Sequence, residues 1–310
     1  MYLVTGGAGF IGSNIVEALV VAGLRVRVLD DLSNGLERNL AAFGGSVDLI
    51  RGDIRDASVV ETAMRGVTVV LHLAALGSVA RSVADPLTTN AVNVDGTLNV
   101  LRAARDAGVR RLVFSSSSSV YGDNPTLPKH EDLSPAPISP YAVSKLAGEA
   151  YVRVFARLYN IETVCLRYFN VFGPRQRPDS EYAAVIPRFM RWALAGQPLV
   201  VYGDGQQSRD FTYVSNVVRA NLLAAEAPGV SGRVFNVACG ERYSLLDIVG
   251  NLEEALGRPL EVVHEPARPG DVRHSHADIS TAGEALGYDV SVGFAEGLSR
   301  TLAAFVEHPA

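Results

Sequence analysis

Short runs of β-branched and apolar residues alternate with longer amphipathic stretches through the first half of the chain. The apolar runs predict strands at Tyr2–Thr5, Val26–Asp30, Val47–Arg51, Val67–Leu73, Arg111–Ser116 and Glu162–Arg167. The amphipathic stretches predict helices at Ile11–Ala22, Ala57–Met64, Pro86–Ala107 and Pro140–Tyr159. Strands that alternate with helices in this way predict an α/β fold with a Rossmann-type doubly wound parallel sheet, covered by helices on both faces.

The pattern changes after Asn170, where loops rich in glycine and proline separate shorter and less regular elements. A helix predicted at Val214–Ala225 returns the chain to the large sheet. We therefore expect a large domain of residues 1–170 with return segments near 209–240. Residues 171–208 and 241–310 are expected to form a smaller C-terminal lobe.

The composition and charge of the chain limit the kinds of partner and location that are expected. A net charge of −5 and a pI near 5.7 argue against a nucleic-acid or anionic-membrane partner, because no domain-wide basic surface is available. Cys165 and Cys239 are too few and too far apart for a disulfide framework, and neither is interpreted as a nucleophile. The first strand begins at Tyr2, and arginines interrupt every long apolar stretch, so a cytoplasmic location is expected.

The first strand runs into a glycine loop and then a helix. Gly6, Gly9 and Gly12 recur every third residue, which permits a tight turn and a close approach of a pyrophosphate to the backbone. Asp30 ends the second strand, where a carboxylate holds ribose hydroxyls and repels a 2′-phosphate, which favours NAD over NADP. Arg25 and Arg27 precede Asp30 and are interpreted as structural. Asp53 either accepts a hydrogen bond from adenine or caps the next helix.

Lysine is rare in this chain: of the 28 lysines and arginines only Lys129 and Lys145 are lysines, and Lys145 follows Tyr141 by four residues. The helix that holds both has Ser139 as a candidate N-cap and Pro140 at its first position. The i, i+4 spacing places the Tyr141 and Lys145 side chains on one face.

A run of serines, Ser115 to Ser119, follows the predicted strand that begins at Arg111, at the end where open α/β sheets bind ligands. Ser, Tyr and Lys together suit removal of a hydroxyl proton while hydride leaves the same carbon. An adjacent ammonium and a positively charged nicotinamide are both expected to lower the pKa of the phenol. A non-catalytic NAD-sensing or scaffold protein on the same fold is the alternative of a different class.

With these residues in view, the chain resembles the extended short-chain dehydrogenases/reductases of the UDP-sugar 4-epimerase family, especially the bacterial UDP-N-acetylglucosamine 4-epimerases. The resemblance runs essentially end to end. It rests on Thr5–Ser13, Val28–Gly35, His72–Ala75, Asn93–Gly96, Ser115–Gly122, Tyr141–Lys145, Arg167–Asn170, Ser208–Asp210 and Pro269–Asp271. It implies that Ser117, Tyr141 and Lys145 are catalytic and that bound NAD oxidises C4 of a UDP-sugar to a ketone, which is then reduced from its other face.

The resemblance also implies binding residues in both parts of the chain. Residues 1–170 would bind NAD, through Gly6, Gly9, Phe10, Ile11, Gly12, Asp30, Asp31, Ser33, Asn34, Gly35, Asp53, Ile54, Leu73, Ala74, Ala75, Asn93, Ser115, Tyr141 and Lys145, joined by Tyr168 and Phe169. The lobe and the sheet edge would bind the UDP-sugar, through Gly77, Ser78, Ser117, Ser118, Ser119, Tyr141, Asn170, Gln176, Ala184, Val185, Val200, Tyr202, Arg209, Arg268, Asp271 and Ser275.

Two positions bear on the reaction and on the sugar. Relatives that dehydrate or decarboxylate nucleotide sugars carry acidic residues where this chain has Ser118 and Ser119, which disfavours a dehydratase, decarboxylase or reductase. Many UDP-galactose epimerases place a tyrosine where this chain has Ser275. The small side chain leaves room for a 2-acetamido group, so UDP-GlcNAc and UDP-GalNAc are the expected substrates, with UDP-Glc and UDP-Gal tolerated. A UDP-glucose/UDP-galactose 4-epimerase is the alternative.

Two further expectations concern partners. His274 and His276, with Asp271 and Asp278, alternate along an extended segment, but the chemistry requires no metal and none is expected. The helices predicted at Pro86–Ala107 and Pro140–Tyr159 resemble the pair that forms a four-helix contact in this family. A homodimer is therefore expected.

Overall fold

The computed structural model describes residues 1–177, 184–266 and 273–307. The strands are β1 (Tyr2–Thr5), β2 (Val26–Asp30), β3 (Val47–Arg51), β4 (Val69–His72), β5 (Arg111–Ser117), β6 (Glu162–Tyr168), β7 (Val171–Phe172), β8 (Leu199–Tyr202), β9 (Ser208–Arg209), β10 (Thr212–Tyr213), β11 (Arg233–Val237), β12 (Tyr243–Ser244) and β13 (Val262–Glu265). The α-helices are α1 (Phe10–Val21), α2 (Ala57–Ala63), α3 (Val79–Ala84), α4 (Pro86–Asn90), α5 (Gly96–Asp106), α6 (Pro140–Leu158), α7 (Val185–Leu194), α8 (Val214–Glu226), α9 (Leu245–Leu256), α10 (Ser280–Leu286) and α11 (Phe294–Glu307).

A seven-stranded parallel sheet in the order β11-β6-β5-β4-β1-β2-β3 forms the centre of the molecule. The chain winds outward from β1 through β2 to β3, and then crosses to β4 on the other side of β1. The strand order therefore reverses between β1 and β4, which opens a crevice at their carboxyl ends. The α/β fold with a doubly wound sheet is confirmed.

The predicted strand bounds agree closely with the structure. β1, β2 and β3 have the predicted bounds, and β5 and β6 each extend one residue further. β4 is shorter than predicted, because Val67 and Thr68 donate their backbone N–H groups to the carbonyls of Met64 and Met1 instead of joining the sheet. The apolar, β-branched runs thus predicted the strand interiors better than the start of β4.

Helix α6 carries two of the predicted catalytic residues. The Ser139 side chain accepts a hydrogen bond from the backbone N–H of Ala142 at 3.2 Å, and Pro140 occupies the first turn, as predicted. The helix contacts β5 and β6 and buries Ala142, Lys145, Glu149 and Val152 toward them. This packing sets Tyr141 and Lys145 against the carboxyl end of β5.

The helix predicted at Pro86–Ala107 is one continuous helical stretch with an irregular middle. Residues 91–95, between α4 and α5, form a π-helical turn. Asn93 lies in this turn, where its amide side chain accepts from the backbone N–H of Leu76 and donates to the Leu76 carbonyl. The wider turn therefore aims a polar side chain at the loop that follows β4.

Three two-stranded sheets lie outside the large sheet, pairing β10 with β7, β12 with β9 and β13 with β8. A separate hydrophobic cluster includes Phe172, Phe189, Leu199, Ile248 and Phe294. The late segments also contribute to the large sheet and its core: β11 is its edge strand, and α8 packs against it, as do Ala282 and Leu286 of α10. In the part of the chain that the structure describes, no helix is long and apolar enough to span a membrane.

Candidate functional site

A cavity of about 580 Å³ opens at the carboxyl edge of the large sheet. It lies at the crevice between β1 and β4 and extends to the ends of β2 and β5. Of the residues predicted to bind the cofactor or the substrate, it is lined by Gly6, Gly9, Phe10, Ile11, Gly12, Asp30, Asp31, Ser33, Asn34, Gly35, Asp53, Ile54, Leu73, Ala74, Ala75, Gly77, Ser78, Ser115, Tyr141, Lys145 and Tyr168. Residues far apart in the sequence therefore share one wall.

The glycine loop between β1 and α1 forms the floor of this cavity. Gly6 has a φ of +71°, a region that favours glycine. A Cβ atom on Gly12 would lie 2.1 Å from the carbonyl oxygen of Gly6, so no side chain fits there. The absence of side chains leaves the backbone N–H groups at the start of α1 open to a phosphate.

Asp30 is held rigidly at the end of β2. Its carboxylate accepts hydrogen bonds from the backbone N–H groups of Ala8, at 2.9 Å, and Leu32, at 2.8 Å. Burial raises the pKa of this carboxyl, and the two backbone hydrogen bonds oppose the shift. A glycine-floored cleft with a fixed acid at the second strand fits a dinucleotide whose ribose hydroxyls are free.

Asp53 lies in the cavity wall but is not a helix cap. Its carboxylate pairs with Arg55, and that hydrogen bond lowers the pKa of the Asp53 carboxyl. Asp56 caps α2 instead, because its side chain accepts from the backbone N–H groups of Ser58 and Val59. Arg27, which was interpreted as structural, donates to the carboxylate of Asp48 at 2.7 Å.

Tyr141 and Ser117 meet at the junction of α6 and β5. The Ser117 hydroxyl lies near enough to the phenol to affect its pKa, and Tyr141 is half-buried in the cavity wall. Burial raises the pKa of the Tyr141 phenol, and the Ser117 hydroxyl lowers it. In the protein without cofactor, desolvation of the phenolate outweighs the favourable contact. Acidification of the phenol by the ammonium and the nicotinamide together stays a prediction.

Lys145 lies one helical turn after Tyr141 and is almost fully buried. Its ammonium donates to the carbonyl oxygen of Ser115 at 2.8 Å and lies 5.2 Å from the centre of the Phe114 ring. Burial lowers the pKa of Lys145 to about 8, while the negative charge of Glu149 raises it. The carbonyl contact fixes the ammonium in the cavity wall.

A buried ion pair that the sequence analysis missed lies beneath these groups. The Glu149 carboxylate binds Arg167 through two contacts of 2.8 Å and accepts from the Ser116 hydroxyl at 2.5 Å. Glu149 follows Lys145 by four residues, so the helical spacing that linked Tyr141 to Lys145 could have identified it. The pair ties α6 to β5 and β6 directly behind the cavity.

Two predicted cofactor contacts lie behind the cavity wall. Phe169 is fully buried against Val120 and Tyr121. The side chain of Asn93 is buried between Leu76 and the Ser144 hydroxyl. Both side chains pack against or bond to protein groups, and the contact of these two residues with the cofactor stays a prediction.

The predicted sugar side begins at Asn170, which follows β6 and has a φ of +32°. Its amide donates to the carbonyl oxygen of Asp210 at 2.9 Å and to the Ser275 hydroxyl at 3.2 Å. The buried Asp210 carboxylate accepts from the backbone N–H groups of Cys239, Gly240 and Ala277. Burial raises the pKa of Asp210 to about 6. Asp210 thus joins the segments that hold Asn170 and Ser275, a role that the sequence analysis did not anticipate.

The remaining predicted substrate residues occupy neighbouring elements. Gln176 donates to the carbonyl oxygen of Val171 at 3.1 Å, and Arg209 donates to the carbonyl oxygens of Ser208 and Arg273. Ser118 and Ser119 form a 3₁₀ turn after β5, Ala184 precedes α7 and Val185 begins it, and Val200 and Tyr202 lie on β8. Arg268 and Asp271 lie outside the described residues.

The two alternating histidines have separate partners. His274 shares a hydrogen bond with the Ser208 hydroxyl at 2.8 Å, and His276 bonds the Gly240 carbonyl at 2.9 Å. Within residues 1–177, 184–266 and 273–307, no cluster of three or more His, Cys, Asp or Glu residues could hold a metal ion. Cys165 and Cys239 are both free thiols.

Comparisons with known proteins identify the family of this chain. The family model described as the NAD dependent epimerase/dehydratase family matches residues 2–238. A UDP-glucose 4-epimerase of Mycolicibacterium smegmatis is 41% identical over 307 residues, which covers 98% of this chain and 97% of that protein.

Two solved structures superimpose closely. A UDP-N-acetylglucosamine 4-epimerase from Methanobrevibacter ruminantium, in complex with UDP-N-acetylmuramic acid, is 41% identical with a TM-score of 0.94, covering 99% of this chain and 98% of that one. A UDP-glucose 4-epimerase from Thermotoga maritima, with UDP-glucose, is 39% identical with a TM-score of 0.94 and the same coverage. The chain belongs to the NAD dependent epimerase/dehydratase family, as an NAD-dependent UDP-sugar 4-epimerase of the extended short-chain dehydrogenase/reductase group.

Proposed function

We propose that this enzyme interconverts UDP-GlcNAc and UDP-GalNAc through a transient 4-keto sugar, and that it also accepts UDP-Glc and UDP-Gal. The observation that carries the N-acetyl preference is Ser275, a small side chain held 3.2 Å from the Asn170 amide. A serine leaves free the volume that a tyrosine would fill, so a 2-acetamido group fits beside it. A structural neighbour that acts on UDP-N-acetylglucosamine supports the same preference.

The catalytic roles fall to the residues that line the end of β5 and the start of α6. When bound, NAD supplies a hydride acceptor and donor for C4 of the sugar. Tyr141 removes the O4 proton as the hydride leaves, and Ser117, whose hydroxyl lies beside that phenol, holds O4 in place. The Lys145 ammonium lies in the same wall and stabilises negative charge that develops on the phenol.

The turn after β5 favours epimerisation over elimination. Ser118 and Ser119 supply only hydroxyl groups where a dehydratase or decarboxylase needs an acid or a base. Glu149, the carboxylate that contacts the serine run, is buried and already paired with Arg167. The ketone is therefore left to be reduced again, which makes the overall reaction redox-neutral.

The two parts of the chain have different ligands in this proposal. We propose that residues 1–170, with the segments near 209–240, bind NAD, and that residues 171–208 and 241–310 hold the UDP-sugar. The support is that the glycine loop and Asp30 belong to the first set and Ser275 to the second. Asn170 lies at the junction between them.

A preference for UDP-Glc and UDP-Gal is the second candidate, favoured by the name of the mycobacterial relative. Incubating the purified enzyme with each UDP-sugar, without added cofactor, separates the candidates. We expect an epimer mixture from UDP-GlcNAc and a higher kcat/KM for it than for UDP-galactose. The opposite order would favour the second candidate, loss of water or CO₂ would indicate a dehydratase or decarboxylase, and no change would indicate a scaffold.

Replacing Ser275 by tyrosine should change the substrate preference. Overfilling a site costs about 1–3 kcal/mol, so we expect kcat/KM for UDP-GlcNAc to fall roughly 5- to 150-fold. The value for UDP-Glc should change little, because that sugar lacks the acetamido group. Ser275→Ala is the matched control, since it removes the hydroxyl without adding volume. Equal losses on both sugars would show that Ser275 does not border the 2-substituent.

We also propose that the enzyme is a homodimer. α3 and α4 pack against α6, and this surface exposes apolar side chains, among them Leu87 at 82%, Val83 at 66% and Val143 at 52%. Covering such a patch with a second copy removes it from water. Light scattering should give twice the chain mass of 33.0 kDa, and Leu87→Glu should shift the protein toward monomer. A monomeric native protein at micromolar concentration would contradict the proposal.

A further inference from the structure

Arg175 lies in the wall of the cofactor cavity, on the loop that follows β7, and none of the predicted roles includes it. Its backbone φ of +69° is uncommon for a residue with a side chain. Arg81 and Arg177 line the same cavity. The glycine loop in this wall was predicted to approach a pyrophosphate through its backbone, and Arg175 adds a side-chain cation that this prediction did not include.

Three contacts fix the loop and the guanidinium against the domain that carries the glycine loop. Nη2 of Arg175 donates to Oε2 of Glu17 at 2.5 Å, and the guanidinium lies 5.8 Å from the centre of the Phe43 ring. The preceding carbonyl, of Pro174, accepts from the Asn14 amide at 3.2 Å. Asn14 and Glu17 both belong to α1, which begins at the glycine loop. The contact with Asn14 holds the loop, and the contacts with Glu17 and Phe43 hold the Arg175 side chain.

The other terminal nitrogen of the same guanidinium has no such partner. Nη1 of Arg175 is buried and lacks a hydrogen-bond acceptor among the described residues. A buried cationic N–H without an acceptor is costly, so the site is incomplete in the protein alone. An anion in the cavity beside Gly9 and Gly12 would complete it, and a phosphate oxygen matches the geometry of a guanidinium.

We propose that Arg175 binds the diphosphate of NAD and thereby retains the cofactor between turnovers. The guanidinium adds a positive charge, held by Glu17, to the cavity that the backbone N–H groups of the glycine loop also line. Because Glu17 and Phe43 hold the side chain in place before the cofactor arrives, little rotamer entropy is lost on binding. Retention of the cofactor matters for a redox-neutral reaction, since release of NADH before the second hydride transfer would leave the keto sugar without a reductant.

The test is the affinity of the full-length protein for NAD. We expect Arg175→Gln to raise the dissociation constant for NAD roughly 10- to 100-fold, measured by binding to protein stripped of cofactor. It should also lower the NAD that copurifies with the chain. The difference from the unmodified protein should shrink as salt rises, because the lost interaction is between charges. Arg300→Gln removes the same charge from an exposed pair with Glu296 and should leave NAD affinity unchanged.

Two further variants separate charge from loop structure. Asn14→Ala loosens the loop but keeps the guanidinium, and Arg175→Lys keeps the charge but not the planar fork. We expect both to lose less affinity than Arg175→Gln. If Asn14→Ala lost as much, or if Arg175→Gln bound NAD within twofold of the unmodified protein, the proposal would be overturned. Weaker binding of UDP with unchanged NAD affinity would assign the arginine to the substrate diphosphate and would equally overturn it.

Discussion

Replacing Tyr141 by phenylalanine should lower kcat for 4-epimerisation by about 10²- to 10⁴-fold, the range typical of losing a general base. The change removes one oxygen from the wall shared by α6 and β5 and leaves Ser117 without its phenol partner. The ring remains, so packing against the cavity is kept. The loss should appear in kcat, with little change in binding of UDP-sugar or NAD. The rate of product formation from UDP-GlcNAc measures kcat, and isothermal titration measures the binding of UDP-sugar and NAD.

A tyrosine on the same helix gives a matched control. Tyr151 lies further along α6 and is partly exposed. Tyr151→Phe should keep near-normal activity, because that hydroxyl is remote from the cavity. If Tyr141→Phe retained more than about a tenth of the activity, a general-base role worth about 10²-fold or more would belong to another group. A collapse of NAD binding in Tyr141→Phe would instead point to a role in holding the cofactor.

The part of the site that lies within single sequence segments was predictable. The glycine loop, Asp30 and the helix with Tyr141 and Lys145 each place their chemistry through spacings of a few residues. Spacing within one strand or helix fixes geometry directly, since side chains repeat with a known period. The strand bounds of β1 to β3 were predictable for the same reason.

The rest of the site depends on contacts between distant segments. Arg175 reaches Glu17 across 158 positions, and Asn170 meets Ser275 across 105. Neither the charge nor the residue type of one partner indicates the other, so no local pattern identifies such a pair. The π-helical turn at Asn93 was not predicted for a related reason, because the Asn93 side chain bonds the loop after β4 and not its own helix.

The pKa of Tyr141 also could not be predicted from local sequence spacing. The sequence placed an ammonium one helical turn away and so predicted an acidified phenol. The direction of the shift depends on desolvation, which only the packed structure reveals. Burial raises the pKa of the Tyr141 phenol and the Ser117 hydroxyl opposes that shift, so the i, i+4 spacing of Tyr141 and Lys145 did not determine the direction.

Replacing Glu149 by glutamine should lower the free energy of unfolding by about 3–5 kcal/mol, because it leaves the buried Arg167 charge without a counterion. Both side chains of this pair are almost completely buried, at 3% and 4% exposure, so solvent cannot screen the loss. Chemical denaturation of the NAD-loaded enzyme measures the effect. Glu61→Gln is the control, since Glu61 pairs with Arg102 on the surface and should cost less than about 1 kcal/mol.

The same variant should move the pH profile, which a purely structural role would not do. The negative charge of Glu149 raises the pKa of Lys145, which burial has lowered to about 8. Without that charge the pKa falls further, so the ammonium is lost at a lower pH. The alkaline limb of kcat/KM should therefore move toward neutral pH, and Glu149→Asp should restore part of the original profile. A stability loss with an unmoved alkaline limb would limit Glu149 to holding β5, β6 and α6 together.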